Sequence, residues 1–226
     1  MNKRLISQTV KAAIVLALVC IAAVTAAMFL HKPPIDGENY ARNLLLQHVG
    51  TLLIVLLLAW DIVKGCMPLP AFVGISVFAV IHIVGACYLY SYVPYAGWFE
   101  KLGIVLEQTD IHPNKFDRFV HFSFGILLFP YLLHECLAWL KGKPWASVLM
   151  AWLLIQTGSM IYELVEWLLA VCQSPENAEA YNGQQGDVWD AHKDMLLAMI
   201  GSTIMTICYA IKNMRETRSR WPKCQI

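Results

Sequence analysis

The chain has 226 residues, 58% of them hydrophobic and only 15% charged, with a mean hydropathy of +0.53, which excludes an ordinary soluble domain and points to the membrane class. Its net charge of +1 says little as a total, so the distribution of charge along the chain carries the information. Seven cysteines, mostly inside apolar stretches and without a CxxC pair, exclude a disulfide framework or a zinc knuckle.

Ala12–Leu30 contains no Asp, Glu, Lys or Arg. A spanning helix needs about 20 apolar residues, so this run predicts a first span over 11–30. Lys3 and Arg4 ahead of it resemble a secretory signal, but the uncharged core exceeds the roughly 7–15 residues of such a region, and more spans follow. An uncleaved first helix is expected. Leu44–Trp60 predicts a second span over 44–63, and the uncharged run Gly65–Phe99, broken only by His82, a third over 70–92. The fourth opens at Asp117 and covers 117–140, with Pro130 inside it; the fifth covers 145–171 and the sixth 188–211. All six are expected as helices, because an isolated strand cannot satisfy its backbone in lipid. The expected architecture is an all-α polytopic bundle of six transmembrane helices, a single integral membrane domain over 1–226.

Orientation follows from Lys and Arg. With both termini on one side, that side collects Lys3, Arg4, Lys11, Lys64, Lys141, Lys143, Lys212, Arg215, Arg218, Arg220 and Lys223. The opposite side holds only Lys32, Arg42, Lys101 and Lys115, with Arg118 at its edge, and carries Asp36, Glu38, Glu107, Asp110, Glu176 and Glu179. The positive-inside rule then places both ends in the cytoplasm. The basic tail reads as an orientation anchor touching anionic headgroups, and no nucleic-acid partner is expected. Trp98, Trp167 and Trp189 fit an interfacial belt on the outer side.

That topology gathers polar residues into one layer. His82, Glu163 and Glu166 fall in the outer halves of spans three and five, while Asp117, His121, Asp187, Asp190, Lys193 and Asp194 lie at the outer entrances of spans four and six. Asp117 and His121 are four apart and share a helix face, as do Tyr162 and Glu166; Glu163 and Glu166 are three apart. Asp187, Asp190 and Asp194 form a stripe, with Asp187 placed either to cap its helix or to act as a ligand, after a turn supplied by Gly183 and Gly186.

Six acids (Asp117, Glu163, Glu166, Asp187, Asp190, Asp194) face two bases, Arg118 and Lys193. Such a surplus cannot stay ionised in a dry interior without taking up protons or a cation, or admitting water. A divalent metal, Zn, Mn or Fe, would suit carboxylates beside histidines and would activate water against an ester or phosphoester. Shared protons would suit a proton- or cation-coupled transporter. The structural alternative is an ion-pair network such as Asp117–Lys193 or Glu166–Arg118. His82 is read either as a ligand or as a helix-to-helix hydrogen bond. Glu135, near the inner end of span four, can reach the cytoplasmic surface and is left out of the site. His134–Glu135 begins like HExxH, but Ala138 stands where the second histidine belongs, and GxSxG, Walker and GxGxxG patterns are absent.

Four blocks carry a family resemblance: His82-x-x-Gly85-Ala86-x-Tyr88-x-Tyr90, Phe116-Asp117-Arg118-x-x-His121-Phe122-x-x-Gly125, Tyr162-Glu163-Leu164-x-Glu166-Trp167 and Gln185-Gly186-Asp187-x-Trp189-Asp190-x-x-x-Asp194-Met195. They resemble the YjdF family of bacterial inner-membrane proteins, a domain of unknown function, over spans three to six. Gln184 departs from the family's Gly-Thr-Gln-Gly-Asp run. The resemblance implies a polyhelical fold in the bacterial inner membrane and no particular reaction. The leading expectation is a metal-assisted enzyme acting on a lipid or envelope molecule. Its ligands would come from His82, Asp117, His121, Glu163, Glu166 and Asp187, with Asp190, Lys193 or Asp194 in catalysis. A small transporter using the same carboxylates, or a non-catalytic accessory membrane protein, would be the alternatives.

Overall fold

The computed structural model describes residues 3–33, 39–105, 115–141, 143–172 and 187–220, with side chains described from 7 to 213. The turn residues Gly183, Gln184, Gln185 and Gly186, His112, and the loop acids Asp36, Glu38, Glu107, Asp110, Glu176 and Glu179 lie outside the described residues.

The described chain is helical, with no strand in it: α1 Lys3–His31, α2 Tyr40–Lys64, α3 Leu69–Cys87, α4 Tyr95–Glu100, α5 Phe116–Trp139, α6 Pro144–Cys172 and α7 Asp190–Arg220. Six of these are long and apolar enough to cross a bilayer; the six-residue α4 is not. Their outward faces carry Leu16, Leu53, Leu56, Leu149 and Leu168, each more than half exposed, the surface expected of helices solvated by lipid. Exposed tryptophans mark the helix ends: Trp98, Trp167 and Trp189 at one level, Trp60, Trp139 and Trp145 at the other.

Helix ends follow local chemistry. α2 stops at Gly65, whose left-handed backbone (φ 67°) lets its N–H reach the Asp61 carbonyl at 2.6 Å. Pro68 and Pro70 then start α3, where their missing N–H groups leave no helical bond unmade. The third span ends at Cys87, short of the expected 92, because Leu89 and Tyr90 take positive φ (47° and 56°) and fold the chain back. Gly85 permits that reversal: a Cβ there would stand 2.7 Å from the Tyr90 ring, and the Tyr90 N–H bonds the Gly85 carbonyl at 2.7 Å. α7 opens at Asp190, two residues after the expected start, and the other spans lie within a few residues of expectation.

The helices form two groups of three. α1, α2 and α3 pack on one another around Leu18, Leu44, Leu58, Phe72 and Ile75, and α5, α6 and α7 do so around Phe129, Leu133, Ala151, Ile155 and Ala198. The groups join where α3 meets α5, a seam filled by Phe78, Tyr90, Val93, Phe116 and Val120. The closest approach is between α5 and α7. A Cβ on Gly125 would collide with the Ala198 carbonyl oxygen, and one on Gly201 would lie 2.5 Å from the Phe122 carbonyl oxygen. Backbone-to-backbone contact of this kind is how membrane helices pack without a hydrophobic driving force. Gly125 lies one turn below His121, and Ala198 one turn below Asp194. The glycine contact therefore sets the separation of those two side chains.

Lys11 differs from its expected role as a surface charge. It is buried at 2% exposure, with its Nζ donating to Asp61 Oδ2 at 2.5 Å and to the Met67 carbonyl at 2.7 Å. Asp61 also accepts from the Cys66 and Met67 N–H groups, so this ion pair clamps α1 to the α2–α3 turn.

Candidate functional site

The site grows from the N-terminal ends of α5 and α7 and the C-terminal half of α6. Asp117 and His121 share a face of α5, and His121, 5% exposed, turns toward α6. Its Nδ1 lies 3.3 Å from Ser159 Oγ, while its Nε2 lies 3.1 Å from Glu163 Oε1 and 3.9 Å from Asp117 Oδ1. Ser159 thus orients the ring so that Nε2 faces carboxylates, the arrangement usual for a metal-binding imidazole. Asp194 of α7 completes the group: one donor atom each from Asp117, His121 and Asp194 falls within a 4.8 Å span. Asp194 is 1% exposed, and its Oδ1 has no hydrogen-bond partner among the described residues. Glu163 and Glu166 are both buried, and Tyr162 hydrogen-bonds Glu166 one turn along α6.

The two cations go elsewhere. Arg118 donates to Asp187 Oδ2 at 2.6 Å and to Asp190 Oδ1 at 3.2 Å, and Lys193 donates to Asp187 at 2.5 Å. These bonds tie the entrance of α7 to α5. They replace the anticipated Asp117–Lys193 and Glu166–Arg118 pairs, so among the described residues no Lys or Arg pairs with Asp117, Glu163, Glu166 or Asp194. Asp187 stands three residues ahead of Asp190, and its carboxylate accepts from the Trp189 N–H at 3.0 Å, an Asx turn in place of the anticipated helix cap. Its pKa is lowered to about 2 by the Lys193 ammonium, the Trp189 N–H and the Arg118 guanidinium.

His82 lies across the seam from this group. Its Nε2 donates to the Gln47 carbonyl at 3.2 Å, and its Nδ1 accepts from the Tyr90 hydroxyl, so both nitrogens are engaged. It still faces the same space. A cavity of about 310 Å³ is lined by Asp117, His121, Ser159 and Tyr162 on one side and His82 and Tyr90 on the other. Gly50, Leu53, Ile54, Phe78, Phe124 and Leu128 continue the lining.

Sequence reasoning misses Ser159 and the buried α2 face of Asn43, Gln47 and Thr51. The four-residue spacing of that face is a helical stripe, a signal sufficient to find it. Ser159 offers none, since a serine inside an apolar helix commonly bonds its own backbone.

Comparison with known proteins bears on the whole helical chain. Residues 12–215 match the family model described as Predicted membrane protein (DUF2238). The chain belongs to the DUF2238 family. It is also 31% identical over 144 residues to the Inner membrane protein YjdF of Escherichia coli (strain K12), a match covering 62% of this chain and 64% of that protein. The chain thus spans less than two thirds of that relative's length. No solved structure matches it. Membership of DUF2238, the relative's name and the six candidate spans make this a multi-pass protein of the bacterial inner membrane, of a family without an assigned reaction.

Proposed function

We propose that this DUF2238 protein is a metal-assisted hydrolase acting on an ester or phosphoester of a lipid or envelope molecule at the outer face of the inner membrane. Both termini would be cytoplasmic, with the whole chain acting as one membrane domain. The observation that carries the reading is the convergence of Asp117, His121 and Asp194 from two tightly packed helices, with a buried Asp194 oxygen that has no partner among the described residues. An orphaned carboxylate oxygen beside three further unneutralised acids calls for a cation. Bonds of about 2.0–2.2 Å place donor atoms no more than about 4.4 Å apart, so the group need close by only a few tenths of an ångström.

One imidazole among carboxylates suits Zn, Mn or Fe. A metal held there would supply Lewis acidity, and Glu163, beside His121 Nε2, would be a fourth ligand or the base that takes a proton from the attacking water and returns it to the leaving oxygen. The water oxygen would bond to the carbonyl carbon or phosphorus, the ester bond would break, and the departing alkoxide would take up a proton. Arg118, held by Asp187 and Asp190, would keep the α7 entrance in register.

A proton- or cation-coupled carrier would use the same acids, but it needs a route to the inner face. Beneath the site the α5–α7 group is filled by Phe129, Ala151, Ile155 and Ala198, which favours the enzyme. The test is elemental analysis of gently purified protein together with a His121→Ala/Glu166→Gln double variant. Stoichiometric metal in the wild type and its loss in the variant are expected. A metal-free wild type with pH-driven uptake in proteoliposomes, abolished by Glu163→Gln, would overturn the hydrolase in favour of the carrier.

A further inference from the structure

The cavity at the site is a lateral cleft, and its shape says what kind of molecule reaches the acids. α2 packs on α1 and α3, and α6 packs on α5 and α7, so these two helices flank the α3–α5 seam as opposite walls. Ile54 comes from α2, Phe78 from α3, Phe124 and Leu128 from α5, and Gly158 from α6. Asp117, His121, Ser159 and Tyr162, with His82 and Tyr90 across from them, make its polar lining. Moving down α5, the lining turns apolar at Phe124 and ends at Leu128, seven residues below His121, or about 10 Å along the helix. The long direction of the cleft therefore runs with the helices, as lipid chains do.

Among the described residues, nothing covers its rim at Leu53. Leu53, on the α2 wall, is 62% exposed on the apolar flank of the bundle. Two glycines let the walls carry ring side chains packed directly against the helix backbones. A Cβ on Gly50 would stand 2.8 Å from His82 Nε2, and one on Gly158 would stand 3.1 Å from the Phe124 ring. A volume near 310 Å³ sits at the lower end of the ~300–1,000 Å³ range of ligand pockets, room for one chain.

We infer that the cleft takes a single hydrocarbon chain of an anionic amphiphile, entering sideways from the bilayer between α2 and α6 and presenting its phosphate or carboxylate headgroup at Asp117 and His121. This rests on the proposed metal reading for the headgroup alone; the chain's seat depends on the cleft. A lipid would reach the site without leaving the membrane, and no soluble substrate needs the apolar wall of about 6 Å, Phe124 to Leu128, beside its polar subsite.

The test uses the full-length protein in nanodiscs, a diazirine-tagged dodecyl phosphate as probe, and mass spectrometry to map the adducts. Adducts should concentrate on peptides carrying Ile54 and Leu128, compared with the outward-facing Leu149. Ile54→Trp, which fills the cleft, should lower them about tenfold while Leu149 labelling stays constant. On wild-type protein, untagged dodecyl phosphate should compete and methyl phosphate should not, a readout that survives if the tryptophan variant fails to fold. Diffuse labelling, or equal competition by methyl phosphate, overturns the inference. Metal content measured on the same samples separates the two readings. Bound metal with diffuse labelling leaves the hydrolase proposal and sinks the chain. Cleft labelling without metal keeps the chain and sinks the metal.

Discussion

The two halves of this molecule both bury charge, and they handle it in opposite ways. In the α1–α3 half one cation meets one anion: Lys11 and Asp61, with side chains 3% and 5% exposed, bond at 2.5 Å, and three backbone groups satisfy what remains. In the α5–α7 half both cations are taken by Asp187 and Asp190, and four carboxylates stay behind without one among the described residues. A balanced pair is complete and can serve as a clamp. An unbalanced set needs something from outside the chain, whether a cation or protons. Buried charge alone does not distinguish structure from function, whereas its balance does.

Removing one partner of the complete pair should produce the largest effect. Asp61→Ala leaves an ammonium and two backbone N–H groups stranded and should cost about 3–5 kcal/mol in detergent thermal unfolding. Lys11→Met should cost less, since the Cys66 and Met67 N–H groups still bond the carboxylate. If both variants melt like the wild type, the clamp is not one.

Chelation should act only on the other half. If a metal is bound at a hundred times its Kd, stripping it should lower stability by about 2.7 kcal/mol. Asp194→Asn should lose that response while melting no lower than the metal-free wild type, because it removes one of several like charges. An Asp194→Asn protein that still responds to chelator in full would place the metal elsewhere.

The spacing between the α5 and α7 acids comes next. Gly125→Val should force the helices apart at Ala198, costing about 1–3 kcal/mol, and should weaken metal retention, read by elemental analysis. A smaller loss, about 1 kcal/mol, is expected for Tyr90→Phe, which deprives His82 of a hydrogen bond. Metal content should not change in that variant, because His82 is not one of the three residues, Asp117, His121 and Asp194, whose donor atoms converge.

The smallest effect concerns pH. Asp187 has a folded pKa of about 2 against an ordinary value of about 3.9. Its contribution is therefore complete above pH ~4 and fades as pH falls toward 2. Melting curves across that window should show an acid step that Asp187→Asn lacks.

Much of this architecture is legible in the order of residues. Span number, span position and the gathering of acids at one level follow from apolar run length and from where the acids interrupt or bound those runs. Gly85 and Tyr90 stand together in one sequence block, but their purpose, a reversal that brings a hydroxyl onto His82, emerges only in the fold. Lys11 looks like one more cytoplasmic charge, because nothing local announces that Asp61, fifty residues on, will meet it. Ser159 is invisible for the same reason: its value lies in facing another helix.

Run length and composition suffice for a six-span helical membrane protein, since bilayer thickness and unsatisfied backbone act on each segment independently of the others. Which acids Arg118 and Lys193 neutralise, which remain, and that one cavity is lined by Asp117 and His121 together with the exposed Leu53 are consequences of packing. Those outcomes depend on helix rotation and on the close Gly125–Ala198 contact, quantities of pairs of helices that no single segment encodes.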